Sequence, residues 1–243
     1  MVMALRSLAF QAAFFAVTAL FCVLGLPLLV LPRRVGLAVL RLWARSVEAL
    51  VGTICGISFE VRGREHIPAG AAIVASKHQS AWETISLLHI LPRPALVLKR
   101  ELSWIPLFGW YTIRFGNLPV DRGGGGKALR RLVASARRAA ADNRPIVMFP
   151  EGTRRPPGAP AAYHRGIVAL YLALDVACVP VALNSGHYWP RRSWRRRPGR
   201  IVVEFLEPIA PGLGGEAFLT ELENRIEPAS ARLLREAVAG FGG

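Results

Sequence analysis

The chain of 243 residues is short of acid: 16 Asp and Glu stand against 31 Lys and Arg, a formal charge of +15. That balance disfavours cationic partners. It favours polyanions, meaning nucleic acid, an anionic membrane surface or phosphorylated substrates. Lysine is scarcer still. Lys77, Lys99 and Lys127 are the only three, so nearly all the positive charge is arginine. The abundant Ala, Gly and Pro that accompany it point partly to coding bias, so arginine number alone carries little functional weight. The three cysteines, Cys22, Cys55 and Cys178, are odd in number and widely spaced. Without a C-x-x-C pair they suggest neither a zinc site nor a disulfide framework, and they read as small buried hydrophobes in a reducing compartment. The chain also lacks internal repeats and long disordered tracts, which excludes a solenoid and a largely unfolded protein.

One stretch has no charge at all. Between Arg6 and Arg33 run 26 uncharged residues, "SLAFQAAFFAVTALFCVLGLPLLVLP". About 20 apolar residues in a helix suffice to cross a bilayer core. Gly25 and Pro27 interrupt the stretch, so a single span and a bent, re-entrant hairpin are both open. A cleaved signal peptide fits less well, because the apolar region is long and no small-x-small site follows it. Arg33, Arg34, Arg41 and Arg45 follow the stretch against Arg6 before it. By the positive-inside bias the bulk of the chain then faces the cytoplasm, at the inner membrane. "RLWARSVEALVGTICGI" continues as an amphipathic helix. The expected division is residues 1–55 as membrane-associated helices and 56–243 as the globular unit.

From residue 57 the pattern changes. "ISFEVRG" alternates as a half-buried strand does, and "AAIVAS", "PALVLK", "GNLPVDR", "PIVMFP", "VACVPVALN" and "GRIVVEFLE" read as further strands. Helical patterns fall between them, in "AWETISLLHIL", "KALRRLVASARRAAADN" and "RGIVALYLAL". A C-terminal helix follows, interrupted at Pro228. Strands alternating with helices predict an α/β domain with a largely parallel sheet flanked by helices.

Four strand ends carry the chemistry. At the first, "SKHQSAWETI" places His78 between a buried strand and a helix, five residues before Glu83. Ser80 and Glu83 fit the S-x-x-E capping box, which explains both but not His78. The same Glu83 could also bond the His78 ring and make it a better base. The second stretch, "GNLPVDRGGGGK", puts Arg122 at a strand end. Its glycines do not make a phosphate loop, since Asp121 and Ala128 stand where Gly and Ser or Thr are required. The third, "FPEGTRRPPG", turns tightly at Glu151-Gly152-Thr153 and presents Arg154, a candidate anion site. The fourth is "VPVALNSG". Beside them, "LKRELSWIPLFGW" sets Lys99 and Arg100 against an apolar, aromatic surface, and "RRSWRRRPGR" holds six arginines in ten residues. With Trp189 and Trp194 that block suits anionic headgroups or an acidic carrier protein.

In this order and spacing the four stretches resemble the 1-acylglycerol-3-phosphate O-acyltransferase family. Its H-x4-D motif reads His78-x4-Glu83 here, its arginine motif Val120-Asp121-Arg122, its F-P-E-G-T-R motif Phe149 to Arg154, and its V-P-V motif Val179 to Val181. The resemblance covers about residues 40–210, and an N-terminal membrane-embedded helical segment is also usual in that family. It departs at Glu83, one methylene longer than aspartate, and at His164-Arg165, where relatives often carry lysine. What the resemblance implies is the glycerolipid acyltransferase fold and O-acyl transfer to the sn-2 hydroxyl of lysophosphatidic acid. The donor would be acyl-CoA or acyl-carrier protein, the product phosphatidic acid, and no metal or bound cofactor would be needed. His78 would be the general base and Glu83 its orienting group. Lys99, Arg100, Arg122, Glu151, Gly152, Thr153 and Arg154 would bind substrate, with a turn amide near Glu151-Gly152 facing the oxyanion. Trp104, Ile105, Phe108 and Trp110 would line an acyl channel. Another acceptor, lyso-ornithine lipid or glycerol 3-phosphate, is the alternative, although a phosphate-free one would not need Arg122 and Arg154 together. A nucleic-acid binder has no use for His78 and Glu151 among its arginines. An inert scaffold has none for a complete F-P-E-G-T-R.

Overall fold

A computed structural model describes residues 1–240. The last three residues of the expected second unit, 241–243, lie outside the described residues. Helix α1 (Val2–Leu24) ends at Gly25, and after a short 3-10 turn over Leu26–Leu29 helix α2 (Arg33–Cys55) runs back along it. Then follow β1 (Ile57–Arg62), β2 (Ile73–Ser76), α3 (Trp82–Ile90), β3 (Ala95–Lys99), α4 (Phe108–Arg114), β4 (Leu118–Val120), α5 (Gly125–Ala141) and β5 (Ile146–Met148). The chain closes with α6 (Gly166–Leu174), β6 (Cys178–Leu183), α7 (Ser185–Tyr188), β7 (Gly199–Phe205) and α8 (Gly215–Ala239).

The seven strands form one sheet in the order β1-β7-β6-β2-β5-β3-β4. Every pair is parallel except β6 with β7. Side chains alternate across the pleat. Val74 and Val147 pack against the layer of α2 and α3, which supplies Val47, Val51, Trp82 and Leu87. Ile73, Ala75, Ile146 and Met148 pack against α5, α6 and α8 through Leu132, Ile167, Phe218 and Leu222. A sheet covered on both faces explains why its central strands read as apolar runs rather than alternations.

Because β2, β5, β6, β3 and β4 run the same way, their C-terminal ends share one edge of the sheet, where the loops carrying His78, Arg154, Ser185, Lys99 and Arg122 emerge. The β6–β7 turn is the antiparallel one, so the connection holding the arginine block stays at that same edge.

One expectation changes. Pro228 does not interrupt the C-terminal helix, since α8 continues through it for 25 residues. A proline inside a helix costs about 3 kcal/mol. Buried Phe218, Leu222 and Ile226 before it and Leu233 and Ala237 after it hold both halves on the domain. Helix α1 is held against the globular unit. Its start is tied to the globular unit: Arg6 Nε donates to Ile54 O at 2.5 Å, the Arg196 amide donates to Ser7 Oγ, and Phe10 packs edge-on against Trp189. Its far end is tied too, where Tyr111 Oη donates to Cys22 O and Arg114 Nε to Leu29 O. The hairpin therefore lies across the domain, and the outer side of α1 leaves Leu5, Leu8, Phe15 and Leu20 more than half exposed. It is the one helix among the described residues long and apolar enough to cross a membrane.

Candidate active site

At the end of β2 the chain leaves the sheet through Lys77 and His78 and re-enters regular structure at Trp82. Glu83, in the first turn of α3, is fully buried and points back at that incoming segment. Its Oε1 accepts from the backbone amides of Gln79 and Ser80, both at 2.7 Å, and lies 2.9 Å from His78 Nδ1. Its Oε2 accepts from the Ser185 hydroxyl at 2.8 Å. The cap and the histidine pairing therefore share one carboxylate. The cap is displaced by a residue: Ser80 Oγ accepts from the Trp82 amide, and the N-cap position falls at Ala81, not Ser80. A carboxylate at Nδ1 can only accept, so the ring proton sits there and Nε2 is left as the basic nitrogen. The ring, 12% exposed, stacks on Phe149 at 4.1 Å between centroids.

A second buried network holds the same loop. Lys77, with only 2% of its side chain exposed, places Nζ 2.8 Å from Glu151 Oε1 and 2.7 Å from Glu227 Oε1. Glu151 Oε2 accepts the His78 amide at 3.0 Å, and the Tyr163 hydroxyl donates to Glu227 at 2.7 Å. Burial, then the bond to Glu227, raises the Tyr163 phenol well above its ordinary range, so it stays a neutral donor. Glu151 thus spends both oxygens inside the fold and presents nothing to the cleft. Gly152 adopts the left-handed region at φ 62°, and its amide donates to Phe149 O, so that amide is no free oxyanion donor. The Arg155 amide donates to His78 O, joining the third motif to the first. Among the described residues the Thr153 and Arg154 amides donate to no protein acceptor. Arg154 is half-buried. Burial first, then the neighbouring Arg191, lowers its pKa, and the charge of Glu83 opposes this.

The remaining predicted residues stand apart. Lys99 pairs with Glu101 and Arg100 with Asp121, while Arg122 is exposed beyond β4. β4 is three strands from β2, roughly 14 Å across the sheet at about 4.8 Å per strand. Trp104, Ile105, Phe108 and Trp110 form no enclosed channel: all four are exposed on the surface near the tip of the helical hairpin. The arginine block divides. Arg196 is buried under Trp189, 4.7 Å from its ring, where burial pushes its pKa down to about 10, and Arg200 reaches toward Glu60. The other four face a cavity beside Arg154.

Lys77, Tyr163, Ser185 and Glu227 escaped the sequence reading. Ser185 had a signal, its place just after "VPVALN". Glu227 had none, being 150 residues from the lysine it binds.

The model of the acyltransferase family matches residues 58–184, just over half of the chain and the whole span from β1 to the end of β6. The chain belongs to the acyltransferase family. It is accordingly an O-acyltransferase. It is similar to the 1-acyl-sn-glycerol-3-phosphate acyltransferase of Pseudomonas aeruginosa, 35% identical over 189 residues that cover 78% of this chain and 74% of that one. The relative named 1-acyl-sn-glycerol-3-phosphate acyltransferase alpha of Bos taurus is 29% identical over 96% of this chain and 83% of its own. Among solved structures, the LPA acyltransferase PlsC of Thermotoga maritima superposes with a TM-score of 0.79. It covers 95% of this chain and 97% of its own at 21% identity, a likeness of fold.

Proposed function

We propose that this acyltransferase moves an acyl chain from a thioester to the sn-2 hydroxyl of lysophosphatidic acid, giving phosphatidic acid. The names of the relatives supply the acceptor class. The observation that carries the chemistry is the buried carboxylate of Glu83 on His78 Nδ1, which leaves Nε2 as a base at the rim of the site. His78 Nε2 takes the proton of the acceptor hydroxyl as its oxygen bonds to the thioester carbonyl carbon. The tetrahedral oxyanion then collapses, the C–S bond breaks, and the proton passes from His78 to the leaving thiolate. General-base help of this kind contributes about 10²–10⁴-fold. The Thr153 and Arg154 amides are the unoccupied donors suited to the oxyanion. Arg154 takes the acceptor phosphate, with Lys99, Arg100 and Arg122 farther along the same edge. Ser185 and Glu151 position the pair without touching substrate.

The exposed face of α1, with Trp104, Trp110 and Ile113, is a continuous reason to sit in a membrane. Each large apolar side chain withdrawn from water stabilises docking by about 1.5–3 kcal/mol. Both ends of α1 are fixed to one domain, which supports a hairpin immersed in one leaflet more than a single crossing, with residues 56–240 on the cytoplasmic side. The deciding experiment is mass spectrometry of products from purified full-length protein supplied with an acyl-CoA and a lysolipid panel. Phosphatidic acid from lysophosphatidic acid, absent with His78→Ala, is the expected result. Equal product from the His78→Ala protein refutes the mechanism, and acylation of a phosphate-free lysolipid alone refutes the acceptor.

A further inference from the structure

The edge that carries His78 opens into a cavity of about 710 Å³, within the range of small-ligand sites. Six arginines line it: Arg154 and Arg155 from the third motif, and Arg191, Arg192, Arg195 and Arg197 from the β6–β7 connection. Among the described residues no acidic one lines it. Elsewhere six arginines among the described residues meet carboxylates, as Arg62 does Glu60 and Glu236, Arg225 Glu221, and Arg232 Glu204. None of the six is ion-paired among the described residues, and Arg155 Nε is buried without a partner. The gathering is held in place: Arg191 donates to Arg154 O, and buried Arg196 pins the connecting loop to Ser7 and Gln11 of α1. Six unneutralised guanidiniums around one recess repel each other unless a polyanion enters.

The acceptor phosphate alone is insufficient. A phosphate monoester brings about two negative charges at neutral pH, leaving four guanidiniums unmatched. A ligand with a diphosphate and a further phosphate monoester brings about four more. That is the charge of the nucleotide end of a coenzyme A thioester. Such a nucleotide sits at the far end of a long arm from its thioester, so it needs cations remote from His78. Arg192 and Arg195 are exposed, whereas Arg154 feels the charge of Glu83. A recess also suits a small ligand better than the convex surface of an acidic carrier protein. We propose that this cavity, with Arg192, Arg195 and Arg197 on its outer part, is the polyphosphate subsite for the nucleotide end of a coenzyme A donor. The proposal rests on the acyl-transfer reading above, and its first test needs no turnover.

The experiment is calorimetric titration of coenzyme A and of dephospho-coenzyme A, which lacks the 3′-phosphate, into full-length His78→Ala protein in neutral detergent. Coenzyme A is expected to bind about tenfold or more tighter than the dephospho form. Adding Arg192→Gln and Arg195→Gln to that protein abolishes the difference. In active protein, the same two changes raise KM for acyl-CoA about tenfold while KM for lysophosphatidic acid stays within roughly twofold. The comparison of the two ligands on one protein needs no variant of the cavity to fold. Equal affinity for the two ligands overturns the proposal. So does a variant whose acceptor KM rises instead, or turnover confined to an acyl-carrier-protein donor. A variant that keeps coenzyme A binding and loses only vesicles rich in phosphatidylglycerol assigns the cavity to headgroups and also overturns it. Tight coenzyme A binding by protein that transfers no acyl chain would refute the proposed function and leave this subsite standing.

Discussion

Glu151 was expected to bind substrate, and the fold turns it inward, so replacing it separates the two roles. The Glu151→Gln substitution keeps the shape and an oxygen to accept the His78 amide, but it removes the charge beside Lys77 Nζ. Breaking a buried ion pair by deleting one partner costs about 3–5 kcal/mol. Here Lys77 retains Glu227 at 2.7 and 3.0 Å, and the Glu227 side chain is 27% exposed and partly solvated. The loss should therefore sit below that range, at about 2–3 kcal/mol. For a chain of this size that lowers Tm by about 5–10 °C. Since the His78 loop is held by the same network, kcat should fall about tenfold or more while KM for the acceptor stays within roughly twofold. The assay is thermal unfolding of detergent-purified protein with steady-state kinetics on Glu151→Gln, Lys77→Met and the double variant. Lys77→Met strands the Glu151 charge, which the double variant removes, so the double should lose at least about 5 °C less than the summed singles. Strictly additive shifts would sink the buried-pair account. An unchanged Tm with a tenfold rise in acceptor KM would restore Glu151 to the binding surface.

Other predictions follow from the same geometry. Glu83→Gln keeps the capping bonds through its carbonyl but loses the carboxylate facing His78 and Ser185, so kcat should drop about 10²–10³-fold with little change in KM. Ser185→Ala should reduce kcat about tenfold and restore partly as Ser185→Thr, read as the kcat-against-KM split; a pure KM effect would remove Ser185 from the positioning role. Arg154→Ala should raise KM for lysophosphatidic acid about 10–100-fold, the loss of one charge-assisted hydrogen bond, and an unchanged KM would take Arg154 off the phosphate. Gly152→Ala forces a Cβ into the left-handed region and to 2.8 Å from His164, an exposed ring that can move, so the backbone dominates. It should lower Tm by about 2–8 °C. Phe15→Ser with Leu20→Ser, both on exposed positions of α1, should weaken vesicle co-sedimentation while Tm in detergent holds; undiminished sedimentation would place the membrane contact elsewhere.

Much of this protein was legible along the chain. The strands were readable because apolar runs bounded by Pro, Gly and Asn mark a sheet buried on both faces, as in "PIVMFP". His78 was readable because strand ends are where such sheets place their sites, and Glu83 because a capping box and a histidine partner both predict it near that loop. Those are signals of local order, set by neighbours within a few residues. Pro228 misled for the same reason, since its local cost is real and only the packing of α8 on the sheet outweighs it. The rest needed three dimensions. No spacing announces that Glu227 meets Lys77, that Ser185 completes the Glu83 shell, or that Glu151 faces inward rather than toward substrate. Strand order decided that Arg154 stands beside the histidine while Arg122 lies strands away. The single antiparallel turn, between β6 and β7, decided that four arginines of a surface-looking run surround a recess. Sequence alone determined which chemical groups exist and which elements carry them. Tertiary structure decided which of those groups share a volume too small to leave their charges independent.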